Sequence, residues 1–345
     1  MYSLLPITFF FNTLYAQKVD FKYNEHLWKE ITLAQQHAVP EISDTMLVIC
    51  TVRVFDSLAV RIFSDKVNTD NCINYLLAVR KNDHWTLYRK NSLDEAASFL
   101  KSNKDVVFYI EGMGKTFTTN LYRGAGLTVQ YDVNTILFDY PSADPAYGLL
   151  HNFRFARKNS SAVYKQYAIW LRTIQKSKKD HMPWIHTGNN TTLFHHSMGN
   201  RMLEKAITSG SLSDMHDPLV HTLVLNASCV RSKNHNQWIS KINFADEVIV
   251  TYNKQDRQLK GAGIYTFCHQ LGCSPYLPIA SNIKYLDLNK IAGKQHNLFL
   301  NRPGTVGIPL TLHQFYRDVF HNPSIDWLNK DIFYLTNKFA GYGLQ

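Results

Sequence analysis

What the chain lacks bounds it first. Its five cysteines, Cys50, Cys72, Cys229, Cys268 and Cys273, form no C-x-x-C pair, which argues against a structural zinc site. Beyond the N-terminus no run of about 18 apolar residues occurs, so no internal membrane-spanning helix is expected. Basic residues outnumber acidic ones, 37 to 27, for a net charge of +10. That balance suits an anionic partner or surface. The basic residues are scattered, however, and no recognition helix or aromatic–basic platform stands out, so a nucleic-acid partner is not expected. Internal repeats and low-complexity linkers are also missing. At 345 residues the chain is long enough for one large domain or two small ones. With 45% apolar and 13% aromatic residues, it can bury a sizeable core.

The N-terminus reads MYSLLPITFFFNTLYAQK. Leu4 to Leu14 is largely apolar, and Ala16 supplies a small residue before Gln17. Residues 1–16 thus resemble the end of a secretory signal peptide that lacks its charged n-region. Export to the periplasm or medium of a bacterium is the expectation. The alternative is a cytoplasmic protein whose hydrophobic N-terminus packs on the domain. In an exported protein Cys268 and Cys273, five apart, could pair, and the odd count leaves at least one thiol free. Cys50 and Cys229 lie in apolar runs and read as small core residues.

Residues 17–102 read as an N-terminal extension. It holds a helix around His26 to His37 and a Val/Ile-rich strand region from Met46 to Arg61. The β-type runs Ile73 to Val79 and Trp85 to Tyr88 flank Lys81-Asn82-Asp83-His84 and predict a hairpin. Ser92 with Glu95 three residues later is a capping box. From residue 103 to 345 the pattern changes. Val106 to Ile110 is apolar throughout, the mark of a strand buried on both faces. Asn134 to Tyr140, Thr191 to Phe194, His221 to Ala227, Glu247 to Tyr252 and Asn282 to Leu288 repeat it. Helical segments at Phe117 to Val129 and Ser161 to Lys176 lie between them, and residues 141–160 read as an irregular excursion. Such alternation predicts an α/β fold: a mostly parallel central sheet with helices on both faces. The N-terminal strands either extend its edge or form a small appended layer.

The organising stretch is TTLFHHSMGNRMLEKA, Thr191 to Ala206. A β-branched run turns at once into good helix formers, with Ser197 at the turn. That is the geometry of a nucleophile elbow, in which a strained serine presents its hydroxyl. Gly199 allows strand and helix to approach, whereas His195 stands where the usual G-x-S-x-G has glycine. A serine at a strand–helix junction is also an ordinary N-cap, so the remaining machinery must be found elsewhere. Open parallel sheets carry their sites at the C-terminal ends of the strands. Asp256 follows the strand Glu247 to Tyr252, and His296 follows the last one. Glu111-Gly112-Met113-Gly114 follows the first. A serine hydroxyl needs a base near neutral pKa, an acid to orient that base, and two N–H groups for the oxyanion. His296, Asp256, and the backbone N–H groups of Met113 and Met198 fill those roles.

His313 is the rival base, in a helical pattern. Asp287 within the last strand, Asp246 before the preceding one and Asp139 at the end of another are rival acids. Asp256 with Arg257 also reads as a turn former. His195 and His196 point to opposite faces of a strand and cannot readily share an ion, so no metal and no cofactor is expected. Gly112 to Thr116 suggests a phosphate loop, but Tyr109 occupies the position where that motif needs glycine.

The order glycine turn, serine, acid, histidine resembles the α/β-hydrolase superfamily, especially bacterial serine hydrolases of uncharacterised function. The likeness rests on Val107-Phe108-Tyr109-Ile110-Glu111-Gly112, then Tyr140-Pro141-Ser142, then His196-Ser197-Met198-Gly199-Asn200. It implies a serine hydrolase that cleaves an ester or related acyl bond through Ser197, His296 and Asp256, with Gly112, Gly114, His196 and Tyr147 against a small acyl substrate. Glu111 departs from the histidine usual before the loop glycine. A carboxylate beside an oxyanion hole must point away or pair, and Lys115 is the nearby cation. Glu111 and His195 also suit a second reading, a non-catalytic binding protein on the same fold. The acyl group, the alcohol and the oligomeric state are not legible.

Overall fold

The computed structural model describes residues 24–43, 45–56, 60–186, 188–301, 307–336 and 341–344. The expected signal peptide, residues 1–16, lies outside them. Along the chain the strands are β1 (Ile31–Leu33), β2 (Thr45–Thr51), β3 (Arg53–Phe55), β4 (Phe63–Val67), β5 (Asn74–Lys81), β6 (His84–Lys90) and β7 (Val106–Ile110). They continue as β8 (Asn134–Asp139), β9 (Thr191–His196), β10 (Val220–Asn226), β11 (Ala245–Tyr252), β12 (Lys284–Asp287), β13 (Phe333–Thr336) and β14 (Gly341–Leu344). The longer helices are α1 (Phe117–Tyr131), α2 (Leu149–Ala162), α3 (Tyr164–Lys179), α4 (Asn200–Thr208), α5 (Arg257–Thr266) and α6 (Leu310–His321). None of the described helices is long and apolar enough to cross a membrane.

Twelve strands form one sheet in the order β1-β6-β5-β2-β8-β7-β9-β10-β11-β12-β14-β13, and β3 and β4 form a separate ribbon. From β2 through β8, β7, β9, β10, β11 and β12 to β14 every pair is parallel. β5 and β6 extend this body as an antiparallel hairpin beside β2. Its turn holds Asn82 and Asp83 at φ 49° and 61°, the two positive values a tight hairpin requires. The N-terminal strands therefore lengthen the sheet edge.

Alternation along β7 shows why the inner strands read as unbroken apolar runs. Val106, Phe108 and Ile110 face one core, with Tyr167, Trp170 and Leu171 of α3 and Met202 and Leu203 of α4. Val107 and Tyr109 face the other, with Phe117 and Leu121 of α1 and Phe315, Tyr316 and Val319 of α6. Side chains of both parities are thus buried under helices. The chain runs from β7 to β8 on one side and returns to β9 on the other. The crevice beyond the C-terminal ends of β7 and β9 is a topological switch point, the place where open α/β sheets bind ligands.

Several local expectations change. The helix expected at His26 to His37 ends at Trp28, because Ile31–Leu33 pairs with β6 instead. The strand expected from Met46 to Arg61 stops at Thr51, and Arg53 starts the separate ribbon. Residues 141–160 are irregular only as far as Gly148, which caps α2. The helix escaped notice because its buried face includes Asn152, Asn159 and Ser160 beside Phe153 and Ala156. The C-terminal hairpin β13–β14 was also not expected. Cys268 and Cys273 do not pair, and all five thiols are free.

Candidate functional site

The residue that turns β9 into α4 is Ser197, held at φ +51°. A non-glycine residue there is strained by about 1–2 kcal/mol. Cys229 N–H and Asn200 Nδ2 donate to its carbonyl at 3.1 and 3.0 Å and fix the bend. Two glycines make the bend sterically possible. A Cβ on Gly199 would lie 2.8 Å from the carbonyl oxygen of Glu111, and one on Gly112 would lie 2.7 Å from Ser197 Cβ. The glycine turn after β7 and the serine turn after β9 therefore touch. His195 does not crowd the elbow. Its ring points to the α3 face, where Nε2 lies 2.8 Å from Tyr167 OH.

The N–H groups follow from these turns. Met198 is the second residue of the 3-10 turn Ser197–Gly199, so its N–H has no acceptor within the turn. A Cβ on Gly112 would sit 3.2 Å from it, which places Met113 nearby in sequence and space. Gly114, at φ +89°, donates its N–H to Ser142 O at 2.9 Å, and Lys115 N–H donates to Ser142 Oγ at 3.0 Å. Those amides are therefore engaged within the protein and do not cradle a phosphate.

The candidate acid and base come together across 40 residues of chain. His296 Nδ1 donates to Asp256 Oδ2 at 2.6 Å. Asp256 caps α5, and its Oδ1 accepts from Gln258 N–H and Leu259 N–H at 2.9 and 3.0 Å. That geometry puts the proton on Nδ1 and leaves the Nε2 lone pair open. His296 packs against His196, the neighbour of Ser197, with ring centroids 4.7 Å apart. The Ser197 hydroxyl itself has no hydrogen-bond partner among the described residues.

Three of the four rivals are occupied elsewhere. Asp139 is buried under Arg53, Asn120 and Thr51, Asp287 accepts from Asn289 N–H at 2.8 Å, and His313 stacks on Tyr131. Tyr147 lies on the turn before α2, 46% exposed, and stacks on His151. No cluster of three metal-ligating side chains exists among the described residues.

Glu111 is buried beside this site; its hydrogen-bonded ion-pair partner is Arg123 of α1, with Lys115 adding a weaker attraction. Arg123 Nε and Tyr109 OH both donate to Oε2, and Gly112 N–H donates to Oε1 at 2.8 Å. Burial opposes its charge, but Arg123 above all holds the carboxyl well below the usual range. Arg123 Nη2 also donates to Asn297 Oδ1 at 2.8 Å, next to His296. His196 Nε2 faces Glu111 Oε1 at 3.6 Å. Its tautomer is set by Asn226, whose Oδ1 accepts from Thr251 and Tyr316 hydroxyls at 2.8 and 2.7 Å. Asn226 Nδ2 must then donate to His196 Nδ1, at 3.0 Å. Burial drives His196 well below the ordinary histidine pKa, so the ring is neutral. Arg123, Asn226 and Asn297 carried no sequence signal, since each acts through a fold contact.

No curated protein matches the sequence. Among solved structures, an arylesterase is similar at 11% identity over 91% of this chain and 96% of its own, with a TM-score of 0.38. The hyperthermophilic esterase from the archaeon Pyrobaculum calidifontis is similar at 11% identity over 81% and 82%, with a TM-score of 0.34. The family model described as alpha/beta hydrolase of unknown function (DUF900) matches residues 90–274, more than half of the chain, a span with Ser197 and Asp256 inside it. The chain belongs to this family of α/β hydrolases.

Proposed function

We propose that this α/β hydrolase is a serine esterase acting on a small acyl substrate. One observation carries the reading: the hydrogen-bonded Asp256–His296 pair, 2.6 Å apart, packs against a serine elbow at the switch point of the sheet. Ser197 Oγ attacks the ester carbonyl while His296 Nε2 takes its proton, and Asp256 stabilises the imidazolium that forms. The carbonyl oxygen becomes an oxyanion held by Met198 N–H and Met113 N–H. Each such donor typically supplies about 3–4 kcal/mol of transition-state stabilisation. His296 then gives its proton to the departing alcohol. Water, deprotonated by the same imidazole, cleaves the acyl-enzyme and restores Ser197.

The backbone strain at Ser197 supports the role, because strain of this kind clusters at reacting residues. Neutral His196 serves as a spacer that seats His296 without adding positive charge beside it. The test is labelling with a fluorophosphonate, wild type beside Ser197→Ala, followed by mass mapping. Labelling confined to Ser197 and lost in the variant is expected. A folded protein that resists labelling would sink the mechanism and favour the binding-protein alternative.

A further inference from the structure

Beside the elbow, at Met198, lies a cavity of about 250 Å³. Met198 and Phe153 form apolar parts of its wall. Arg157 of α2, Arg201 of α4 and Arg231 after β10 line it, against one acidic residue, Glu204. These cations have few protein partners. Arg201 Nε is buried without a hydrogen bond, and its Nη2 reaches only Ser161 Oγ at 3.4 Å. Among the described residues the side chains of Arg157 and Arg231 donate no hydrogen bond. No ion pair joins Glu204 to any of the three. Burial raises the Glu204 carboxyl, while Arg201 and Arg157 draw it down. A buried donor left unpaired is costly, and converging guanidinium forks match a planar carboxylate or a phosphate. The volume suits a small group.

We infer that this cavity binds the anionic end of the substrate, a carboxylate or a phosphate, and so makes the enzyme select anionic esters over neutral ones. Met198 couples the two sites: its side chain walls the cavity and its N–H faces the proposed oxyanion. The inference rests on the serine-esterase reading only for its kinetic part, because anion binding needs no chemistry.

Two substrate pairs test it by pH-stat. Monomethyl adipate against methyl hexanoate isolates a carboxylate, and butyryl glycerol phosphate against monobutyrin isolates a phosphate. The wild type is expected to favour the anionic member of at least one pair by about 10- to 100-fold in kcat/KM, and the favoured pair names the anion. In Arg157→Gln/Arg231→Gln, both changes at exposed positions, the ratio should fall close to one. Calorimetric titration with adipate and with glycerol phosphate supplies the readout independent of turnover: saturable binding in the wild type, weakened in the double variant. Anion binding of this kind without fluorophosphonate labelling would retain the cavity and reject the serine mechanism. Labelled Ser197 without arginine-dependent anion binding, or with equal ratios in both proteins, would overturn the inference.

Discussion

Arg123→Met is the perturbation that most directly tests how this site is held. Glu111 and Arg123 are 2% and 7% exposed, and methionine keeps most of the arginine stem volume while removing the charge. The carboxylate would then stay buried with only Tyr109 OH and Gly112 N–H as donors. Breaking a buried pair from one side typically costs about 3–5 kcal/mol, a large share of the roughly 5–15 kcal/mol that stabilises a folded domain. Glu111→Gln/Arg123→Met removes both charges and should recover most of that loss. Urea unfolding followed by tryptophan fluorescence measures both. The pH dependence gives a second check. Arg123 depresses the folded pKa of Glu111, so its contribution is full above the ordinary carboxylate value and fades as pH falls below it. The gap between wild type and Glu111→Gln should therefore narrow in acid. Arg123→Met also frees Asn297, so His296 loses a brace and kcat should fall at temperatures where the variant stays folded. A cost under about 1 kcal/mol, or a double variant no better than the single, would refute the assignment of Arg123 as the charge partner of Glu111.

Three further outcomes follow from the same geometry. Ser197→Gly should raise stability by about 1 kcal/mol in urea, since glycine accepts φ +51° without strain, while abolishing turnover; a destabilised variant would contradict the strained elbow. Gly112→Ala should both destabilise the fold, by about 1–3 kcal/mol, and slow ester turnover, because its Cβ would meet Ser197 Cβ at 2.7 Å; wild-type kinetics would show that the two turns are not in contact. His195, held by burial down to a pKa of about 3, stays neutral when folded but binds a proton when unfolded below the ordinary histidine value. Stability should accordingly fall by ~1.4 kcal/mol per pH unit from about pH 6 towards 4 through this one residue, and His195→Gln should flatten the slope by that amount; parallel slopes would rule it out.

The order of strands and site residues was legible because parallel strands buried on both faces must be apolar throughout. Val106–Ile110 and Asn134–Asp139 needed no neighbour to be recognised. Switch-point geometry then put Gly112, Ser197, Asp256 and His296 at strand ends without any distance in hand. Elements whose burial depends on others were not legible. β14 reads GYGL, and its Gly343 makes sense only under the ring of Tyr334 across the hairpin, where a Cβ would lie 2.2 Å from Cζ. α2 hides polar residues because Asn152 caps the turn at Asp144 and Tyr147 and Asn159 donates to Pro141 O.

Glu111 shows the limit most clearly. A carboxylate there must point away or pair, and Lys115, four positions away, is the cation nearest in sequence. Helix α1 instead projects Arg123 over Phe299 and onto Glu111, a contact set by how α1 packs on β7. The local rule was broken at residue 111 and the compensation lies on another element, as expected where a site departs from its usual pattern. The substitution is then one half of an exchange. With histidine at 111, Arg123 would face a third imidazole beside His196 and His296, and no carboxylate at 111 would remain to offset it. With glutamate, the charge of Arg123 is matched, Tyr109 and Gly112 N–H are satisfied, and the same guanidinium can brace Asn297. The carboxylate that first argued for an inactive protein becomes, by this geometry, the anchor of the loop that carries His296.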